Sequence, residues 1–307
     1  MIRNKEIVIA SRGSELALVQ AEWVRVRLEK FYPDFKFIVK KVKTTGDMIT
    51  GVPLPKIGDK GLFTKEIEES LLSKESRIAV HSMKDIPTEI PSGLIIGAIT
   101  KREDPHDVLI SKEGLKLDEL PQGAILGTSS LRRSAQLFAY RPDLNIKSIR
   151  GNLTTRVAKL DKEDLNGIIV AMAGIRRLGL EDKITEIIPF EILLPAVGQG
   201  ALGVEVREDD REVVEMVRNL DDETSRLTIE AERVFLKGLG GGCQVPIGAM
   251  GEIIEGRLRL EGIVLSLNGK KVLKSSITGD KKDYKKIGQT LASELLSKGA
   301  DKILNGV

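Results

Sequence analysis

Along the first hundred residues, segments with the apolar pattern of a strand alternate with segments that have the apolar spacing of a helix. Short apolar runs predict strands at 6–10, 35–42, 78–81 and 94–100. Leu16, Val19, Trp23 and Val26 recur at helical spacing, so residues 15–30 are predicted to form an amphipathic helix with Ser14 at its N-cap. A second helix is predicted over 64–72, and the glycine- and proline-rich residues 46–61 are predicted to form a long loop.

The middle of the chain repeats this alternation. Strands are predicted at 124–127, 146–149 and 167–171, and helices at 131–138, 154–160 and 209–218. Strands that alternate with helices of this length favour parallel α/β layers. The polar residues 101–107 are predicted to form a crossover between the two α/β regions.

The last ninety residues have a different pattern. Strands predicted at 258–267 and 271–278 flank Asn268-Gly269, which is a strong hairpin signal. A final helix carries Tyr284, Ile287, Leu291 and Leu295 on one face. This part is therefore predicted to be a small α+β unit, distinct from the α/β regions.

Composition narrows the possible functions. Among 307 residues, 48 are Lys or Arg and 45 are Asp or Glu, a net charge of +3 that argues against a nucleic-acid-binding protein. The single cysteine excludes an intrachain disulfide, and with two histidines the sequence predicts no metal site. The N-terminal apolar run is too short for a signal peptide, and no segment is long enough to span a membrane. We therefore expect a cytoplasmic protein, and nothing in the sequence requires more than a monomer.

One glycine motif is a weak match. Gly198, Gly200 and Gly203 fit the dinucleotide-binding pattern G-x-G-x-x-G, but a strand-like run from Val204 follows where a helix should begin. Dinucleotide binding is therefore not expected.

Arginines cluster where predicted strands end and helices begin. In open α/β sheets, ligands bind at the carboxyl ends of strands, and both helix N-termini and guanidinium groups favour anions. Arg12, Arg132, Arg133, Arg150, Arg156, Arg176 and Arg177 occupy such positions. They predict a cleft for a ligand with several carboxylates or phosphates, and the alternative is that they are solvated surface charges.

Two further residues have both a functional and a structural interpretation. Asp85, in AVHSMKDIPT, either stabilises positive charge on a substrate or caps a surface turn. Cys243 follows three glycines, which favour an accessible loop with a reactive or modified thiol over an inert buried one.

Taken in order, these segments resemble the porphobilinogen deaminase family, also called hydroxymethylbilane synthases. The matching segments are IASRGSELALVQA, GDKGLFTKEIE, AVHSMKDIPT, GTSSLRRSAQL, IRGNLTTRVAKL, AGIRRLGL, GQGALGVEVR and GGCQVPIGA. The resemblance implies a transferase of tetrapyrrole (haem) biosynthesis that deaminates four porphobilinogen molecules and joins them head to tail into hydroxymethylbilane. It also implies an α/β fold of two periplasmic-binding-protein-like domains around a cleft, plus a small C-terminal α+β domain. The implied domains are 1–100 with 201–218, 101–200, and 219–307.

The resemblance further implies a dipyrromethane cofactor linked by a thioether to Cys243. It makes Asp85 the catalytic residue, which stabilises the cation left when ammonia departs and assists proton movements. Because each pyrrole unit carries an acetate and a propionate, the family needs carboxylate-binding arginines, which match Arg12, Arg132, Arg133, Arg150, Arg156 and Arg177. Further implied contacts are Ser14, Ser82, Lys84, Thr128 and Ser129, with Lys60 and Phe63 on a loop over the cleft.

A second hypothesis stays open at this point. A non-catalytic carboxylate-binding protein on the same scaffold would keep the arginines but would need neither Asp85 nor Cys243.

Overall fold

The computed structural model describes residues 5–48, 61–241 and 245–306. The strands are β1 (Glu6–Arg12), β2 (Lys36–Val42), β3 (Ile78–Ser82), β4 (Leu94–Ile99), β5 (Asp107–Ser111), β6 (Ile125–Gly127), β7 (Asn145–Lys147), β8 (Gly167–Ala171), β9 (Glu186–Ile188), β10 (Leu202–Arg207), β11 (Ile247–Ile254), β12 (Arg257–Leu265) and β13 (Val272–Asp280). The helices are α1 (Glu15–Phe31), α2 (Thr45–Met48), α3 (Lys65–Leu72), α4 (Leu131–Tyr140), α5 (Leu153–Lys162), α6 (Met172–Arg177), α7 (Arg211–Arg218), α8 (Glu223–Gly238), α9 (Tyr284–Ser297) and α10 (Ala300–Leu304).

The chain forms two compact units. Unit 1 comprises the described residues of 1–103 and 201–226, and unit 2 those of 104–200 and 227–307. The chain thus leaves unit 1 after residue 103 and returns to it at residue 201. The division into three domains at the predicted boundaries stays a prediction.

Unit 1 is built on a five-stranded sheet with the order β2-β1-β3-β10-β4. Strand β1 pairs in parallel with β2 and β3, whereas β10 runs antiparallel to both β3 and β4. Helix α1 buries Val24 and Leu28 against Ile7 and Ile9 of β1. In a second buried cluster, Ile67 and Leu71 of α3 pack against the sheet. Both faces of the sheet are therefore covered, as the apolar strand runs require.

Unit 2 contains a second five-stranded sheet, ordered β7-β6-β8-β5-β9. Strands β7, β6 and β8 are parallel, and β5 pairs antiparallel with β8 and β9. The carboxyl ends of the three parallel strands therefore share one edge of the sheet.

The C-terminal part of unit 2 is a three-stranded antiparallel sheet, β11-β12-β13, with α9 packed on it. The predicted turn lies between β12 and β13, and Gly269 has a φ of 70°, in the left-handed region that favours glycine. The predicted fold class, α/β with a small C-terminal α+β unit, is confirmed.

Four local predictions need correction. The predicted loop 46–61 begins as helix, since α2 runs to Met48, and its residues 49–60 lie outside the described residues. Both large sheets are mixed rather than parallel, because β5 and β10 run against their neighbours. The predicted crossover 101–107 is one residue too long, since Asp107 is the first residue of β5. Strand β7 ends at Lys147 rather than at Ile149.

The strand expected after the glycine motif is confirmed. Gly203 lies within β10, and no helix begins at it. Within the described residues, none of the helices combines the length and apolar character needed to cross a membrane.

Candidate functional site

A small cavity in unit 1 brings together several of the predicted site residues. Its volume is about 60 Å³, room for about two water molecules or one carboxylate group. The polar and aromatic side chains lining it are Arg12, Ser14, Gln20, Phe63, His81, Ser82 and Asp85. Five of these, all except Gln20 and His81, were predicted from the sequence.

The first wall of this cavity is the start of α1. Ser14 is the N-cap of the helix, as predicted, and its Oγ accepts a hydrogen bond from the Ala17 backbone N–H at 3.4 Å. Gln20 lies one and a half turns further along α1 and is buried. Its Nε2 donates to Ser82 Oγ at 3.0 Å. The amide of Gln20 therefore fixes the hydroxyl at the end of β3.

Asp85 lies on a short helical turn, Met83–Asp85, directly after β3. The turn is held in place because Met83 and Ile86 are buried and because the Met83 N–H donates to the Ala201 carbonyl at 3.0 Å. A Cβ on Gly203 of β10 would lie 2.6 Å from both Met83 Sδ and Ile86 Cδ1. Glycine at this motif position therefore serves close packing beneath the turn that carries Asp85.

Arg12 and Phe63 contact each other at the same cavity. The guanidinium carbon of Arg12 lies 4.1 Å from the centre of the Phe63 ring, which is cation–π geometry. Phe63 in turn lies against Gly46, whose backbone N–H donates to the Leu62 carbonyl at 2.8 Å. Phe63 is thus positioned by the backbone of a glycine distant in sequence.

Acidic groups are buried behind the cavity. His81 Nε2 and Glu205 Oε2 are 3.1 Å apart, and both side chains are almost fully buried. Burial raises the pKa of Glu68 on α3, and the neighbouring Glu205 carboxylate adds to this effect. The Thr64 hydroxyl and, less strongly, His81 partly offset the rise. The chain therefore buries two carboxyl groups and one imidazole beneath the cavity.

Unit 2 places the arginine pair in its interior. Arg132 and Arg133 lie in the first turn of α4, after the N-cap Ser130, and both are more than nine-tenths buried. The carboxylate of Asp107, at the start of β5, accepts from Arg132 Nη1 at 2.7 Å and from Arg133 Nη2 at 2.6 Å and Nε at 3.1 Å. Gln199 Nε2 also donates to Asp107, at 2.9 Å.

The two arginines of this network differ in how fully their donors are satisfied. Burial alone would raise the pKa of Asp107, but the charges of Arg132 and Arg133 outweigh it and hold that pKa well below its usual range. All three guanidinium nitrogens of Arg133 have acceptors, the third being the Ile169 carbonyl at 2.9 Å from Nη1. By contrast, Nε of Arg132 is buried with no hydrogen-bond partner in the part of the chain that the structure describes. Arg132 is therefore an incompletely satisfied donor.

The other predicted residues of unit 2 follow the same sheet edge. Thr128 and Ser129 continue from β6, and Ser129 Oγ donates to the Ile149 carbonyl at 2.5 Å. Arg156 Nε donates to the Gly151 carbonyl at 2.9 Å, and Arg177 Nη2 to the Gly200 carbonyl at 2.6 Å. Arg150 is half-buried and follows β7. These groups come after β6, β7 and β8, the three parallel strands whose ends meet.

The structure adds some residues and leaves others undescribed. Sequence reasoning missed Gln20 and Asp107, and the one available signal was a polar residue on the apolar face of α1. Lys84 is half-buried in the turn with Asp85, whereas Lys60 and Cys243 lie outside the described residues. Across residues 5–48, 61–241 and 245–306, no three histidine, cysteine or acidic side chains form a group that could hold a metal ion.

Matches to known proteins extend over nearly the whole chain. The family description "Porphobilinogen deaminase, dipyromethane cofactor binding domain" matches residues 7–215, and "Porphobilinogen deaminase, C-terminal domain" matches 226–297. The porphobilinogen deaminase of Carboxydothermus hydrogenoformans is 54% identical over 304 residues, 99% of this chain and 98% of the relative. That of Pelotomaculum thermopropionicum is 53% identical over 301 residues, 98% of this chain and 96% of the relative.

Among solved structures, similarity is more distant. The methionine-binding protein MetQ has a TM-score of 0.45 and 14% identity, covering 71% of this chain and 90% of MetQ. A TRAP periplasmic solute-binding protein from Desulfovibrio salexigens has a TM-score of 0.43 and 11% identity, covering 72% of this chain and 74% of its own.

Proposed function

The chain belongs to the porphobilinogen deaminase family, and from that premise we propose how its own residues carry out the family's reaction. The reaction is a transfer in tetrapyrrole biosynthesis: four porphobilinogen molecules each lose ammonia and are joined head to tail into hydroxymethylbilane. The chain has to bind a growing set of carboxylates and to stabilise a cation at each step. The described residues offer groups suited to both tasks.

The first part of the proposal concerns the cofactor. Dipyrromethane, when bound, supplies the primer to which the pyrrole units are added. We assign its attachment to the thiol of Cys243 through a thioether, because Cys243 is the only cysteine in the sequence. The donor set fits such a group, since the Nε of Arg132 is a buried donor without a partner among the described residues and a pyrrole carboxylate is an acceptor.

The second part concerns the carboxylates. Guanidinium groups bind carboxylates through paired, charge-assisted hydrogen bonds, which are about twice as strong as neutral ones. We assign this role to Arg12, Arg132, Arg150, Arg156 and Arg177, with further contacts from Ser14, Ser82, Lys84, Thr128 and Ser129. Arg133, whose three guanidinium nitrogens already have acceptors, is assigned to the support of Arg132. We also assign Lys60 and Phe63 to a loop over the bound ligand.

The third part concerns the chemistry. When ammonia leaves the aminomethyl group of porphobilinogen, positive charge develops over the pyrrole ring. The carboxylate of Asp85, on its anchored turn, stabilises this charge through the pyrrole N–H and accepts or returns protons. Gln20 and Ser82, which hydrogen-bond each other at 3.0 Å, keep the neighbouring polar surface fixed.

The observation that carries this proposal is that Asp85 and Arg12 line one cavity of a chain from this family. Intact-protein mass spectrometry tests it together with a turnover assay for hydroxymethylbilane. We expect the purified protein to be heavier than its sequence by two pyrrole units, and Cys243→Ala to lose both the increment and turnover. A Cys243→Ala protein that is active without the increment would refute the primer, and one that still carries the increment would refute the attachment. We also retain a cytoplasmic location and a monomeric state as predictions.

A further inference from the structure

Asp107 is the residue around which the buried arginine pair is organised. Its carboxylate is fully buried and accepts four hydrogen bonds, one from Arg132, two from Arg133 and one from Gln199. These donors come from α4 and from the segment before β10, whereas Asp107 begins β5. One carboxylate thus joins three separate parts of unit 2.

The charges in this network do not cancel. Two guanidinium cations share one carboxylate, so the trio of Arg132, Arg133 and Asp107 has a net charge of +1. Without Asp107, two like charges would be buried side by side, which folded proteins tolerate poorly. With it, one positive charge is left in the interior of unit 2, where a charged group is costly unless it has a partner of opposite charge.

The remaining charge belongs chiefly to Arg132. Arg133 has an acceptor at each of its three nitrogens. Arg132 uses Nη1 for both of its bonds, to Asp107 at 2.7 Å and to the Leu194 carbonyl at 2.6 Å. The Nε side of a guanidinium lies opposite Nη1. A carboxylate binds at this side through two parallel N–H···O hydrogen bonds. In Arg132 this Nε has no partner among the described residues.

We propose that Asp107 is a positioning residue of the anion site: it neutralises Arg133, holds Arg132 by one nitrogen, and leaves the Nε edge of Arg132 for one ligand carboxylate. The ligand class is a carboxylate of the pyrrole chain, so this inference rests on the proposed function. Asp107 itself does not contact the ligand. It acts only through the two guanidinium groups, and its loss should weaken ligand retention before it affects the chemical step.

The chain contains a matched control in unit 1. Asp210, whose side chain is 8% exposed, also shares its carboxylate between two arginines, accepting from Arg77 Nε at 2.8 Å and Nη2 at 2.6 Å and from Arg207 Nη2 at 3.1 Å. Neither arginine is part of the proposed site. Asp210→Asn therefore reports the cost of breaking such a network without any effect on ligand binding.

The experiment compares Asp107→Asn with Asp210→Asn in the full-length protein. Three quantities are measured: the dipyrromethane increment by intact mass, the melting temperature Tm, and KM with kcat for porphobilinogen. We expect both variants to lower Tm by about 5–10 °C. Only Asp107→Asn should lose at least half of the mass increment, or raise KM tenfold with kcat within about threefold of wild type. Normal increment and KM in Asp107→Asn would overturn the proposal.

A second variant guards against misfolding. Asp107→Asn combined with Arg133→Gln keeps the net charge of the trio at +1 but leaves Arg132 without its carboxylate. This double variant should fold more stably than Asp107→Asn and still show the loss of increment or the raised KM. Normal binding by the double variant would also overturn the proposal. A wild-type protein with no increment and no turnover would refute the proposed function, and this inference with it, whereas a normal wild type with normal variants would refute the role of Asp107 alone.

Discussion

Gly46 sets the position of Phe63, and its substitution by alanine tests how much the Arg12–Phe63 contact contributes to the site. A Cβ at Gly46 would overlap Cδ1 and Cε1 of Phe63 and would lie 2.8 Å from the Leu62 carbonyl oxygen. Real Cβ atoms do not approach other atoms so closely, so the ring must move. Phe63 is only half-buried and can do so, at a cost typical of overpacking, about 1–3 kcal/mol.

Displacement of the ring removes the support of the Arg12 guanidinium, now 4.1 Å from the ring centre. A cation–π contact of this kind contributes about 0.5–2 kcal/mol. Since about 1.36 kcal/mol corresponds to tenfold in rate, Gly46→Ala should lower kcat/KM for porphobilinogen by about 2- to 30-fold. The change should appear mainly in KM, because Arg12 is assigned to binding.

Steady-state kinetics with a parallel Tm measurement checks this expectation. Gly13→Ala is the control, because Gly13 adjoins Arg12 and no atom lies within 4 Å of its Cβ position. In a Phe63→Leu background the ring is gone, so Gly46→Ala should have little further effect on KM, while the approach of its Cβ to the Leu62 carbonyl oxygen still lowers Tm. The reasoning fails if Gly46→Ala retains wild-type KM, if Gly13→Ala shows an equal loss, or if Gly46→Ala and Phe63→Leu are simply additive.

Other substitutions test separate parts of the account. Asp85→Asn should lower kcat by about 10²–10⁴-fold with Tm nearly unchanged, and near-normal turnover would remove Asp85 from its assigned role. Because burial raises the pKa of Glu68 above 4.5, its ionisation in the folded protein costs stability above that pKa and none below about pH 4. Glu68→Gln should therefore raise Tm at neutral pH, with a gain that disappears on acidification, and a pH-independent gain would contradict this. Gly269 has a φ of 70° and its Cβ would lie 2.8 Å from the Ala135 carbonyl oxygen, so Gly269→Ala should cost about 2–5 kcal/mol in urea unfolding. Gly256→Ala, with a φ of 76° and no atom within 4 Å, should cost only about 1–2 kcal/mol, and equal losses would show that packing on α4 does not matter.

The sequence predicted those elements whose signals are local. Helix α1 begins after Ser14, as expected from the cap and the apolar spacing, because both signals lie within a few residues of each other. Strand β10 is different: its partners β3 and β4 are about a hundred residues away, and Glu205 interrupts its apolar pattern. No local pattern encodes that a returning segment enters the middle of the first sheet and runs antiparallel there.

The site shows the same limit in its side chains. Arg132 and Arg133 both follow a predicted strand, so the sequence predicted anion binding for each of them. No feature of the neighbouring sequence distinguishes the two. Their difference comes from Asp107. The polar run KREDPHD predicts a loop that ends at this residue, whereas in the fold Asp107 is buried and begins β5. A count of arginines therefore overstates the charge available to a ligand, because these two contribute a net +1 with their shared carboxylate rather than +2. The capacity of such a site for anions is set by the buried acids that its arginines already bind, and those acids are visible only once the chain is folded.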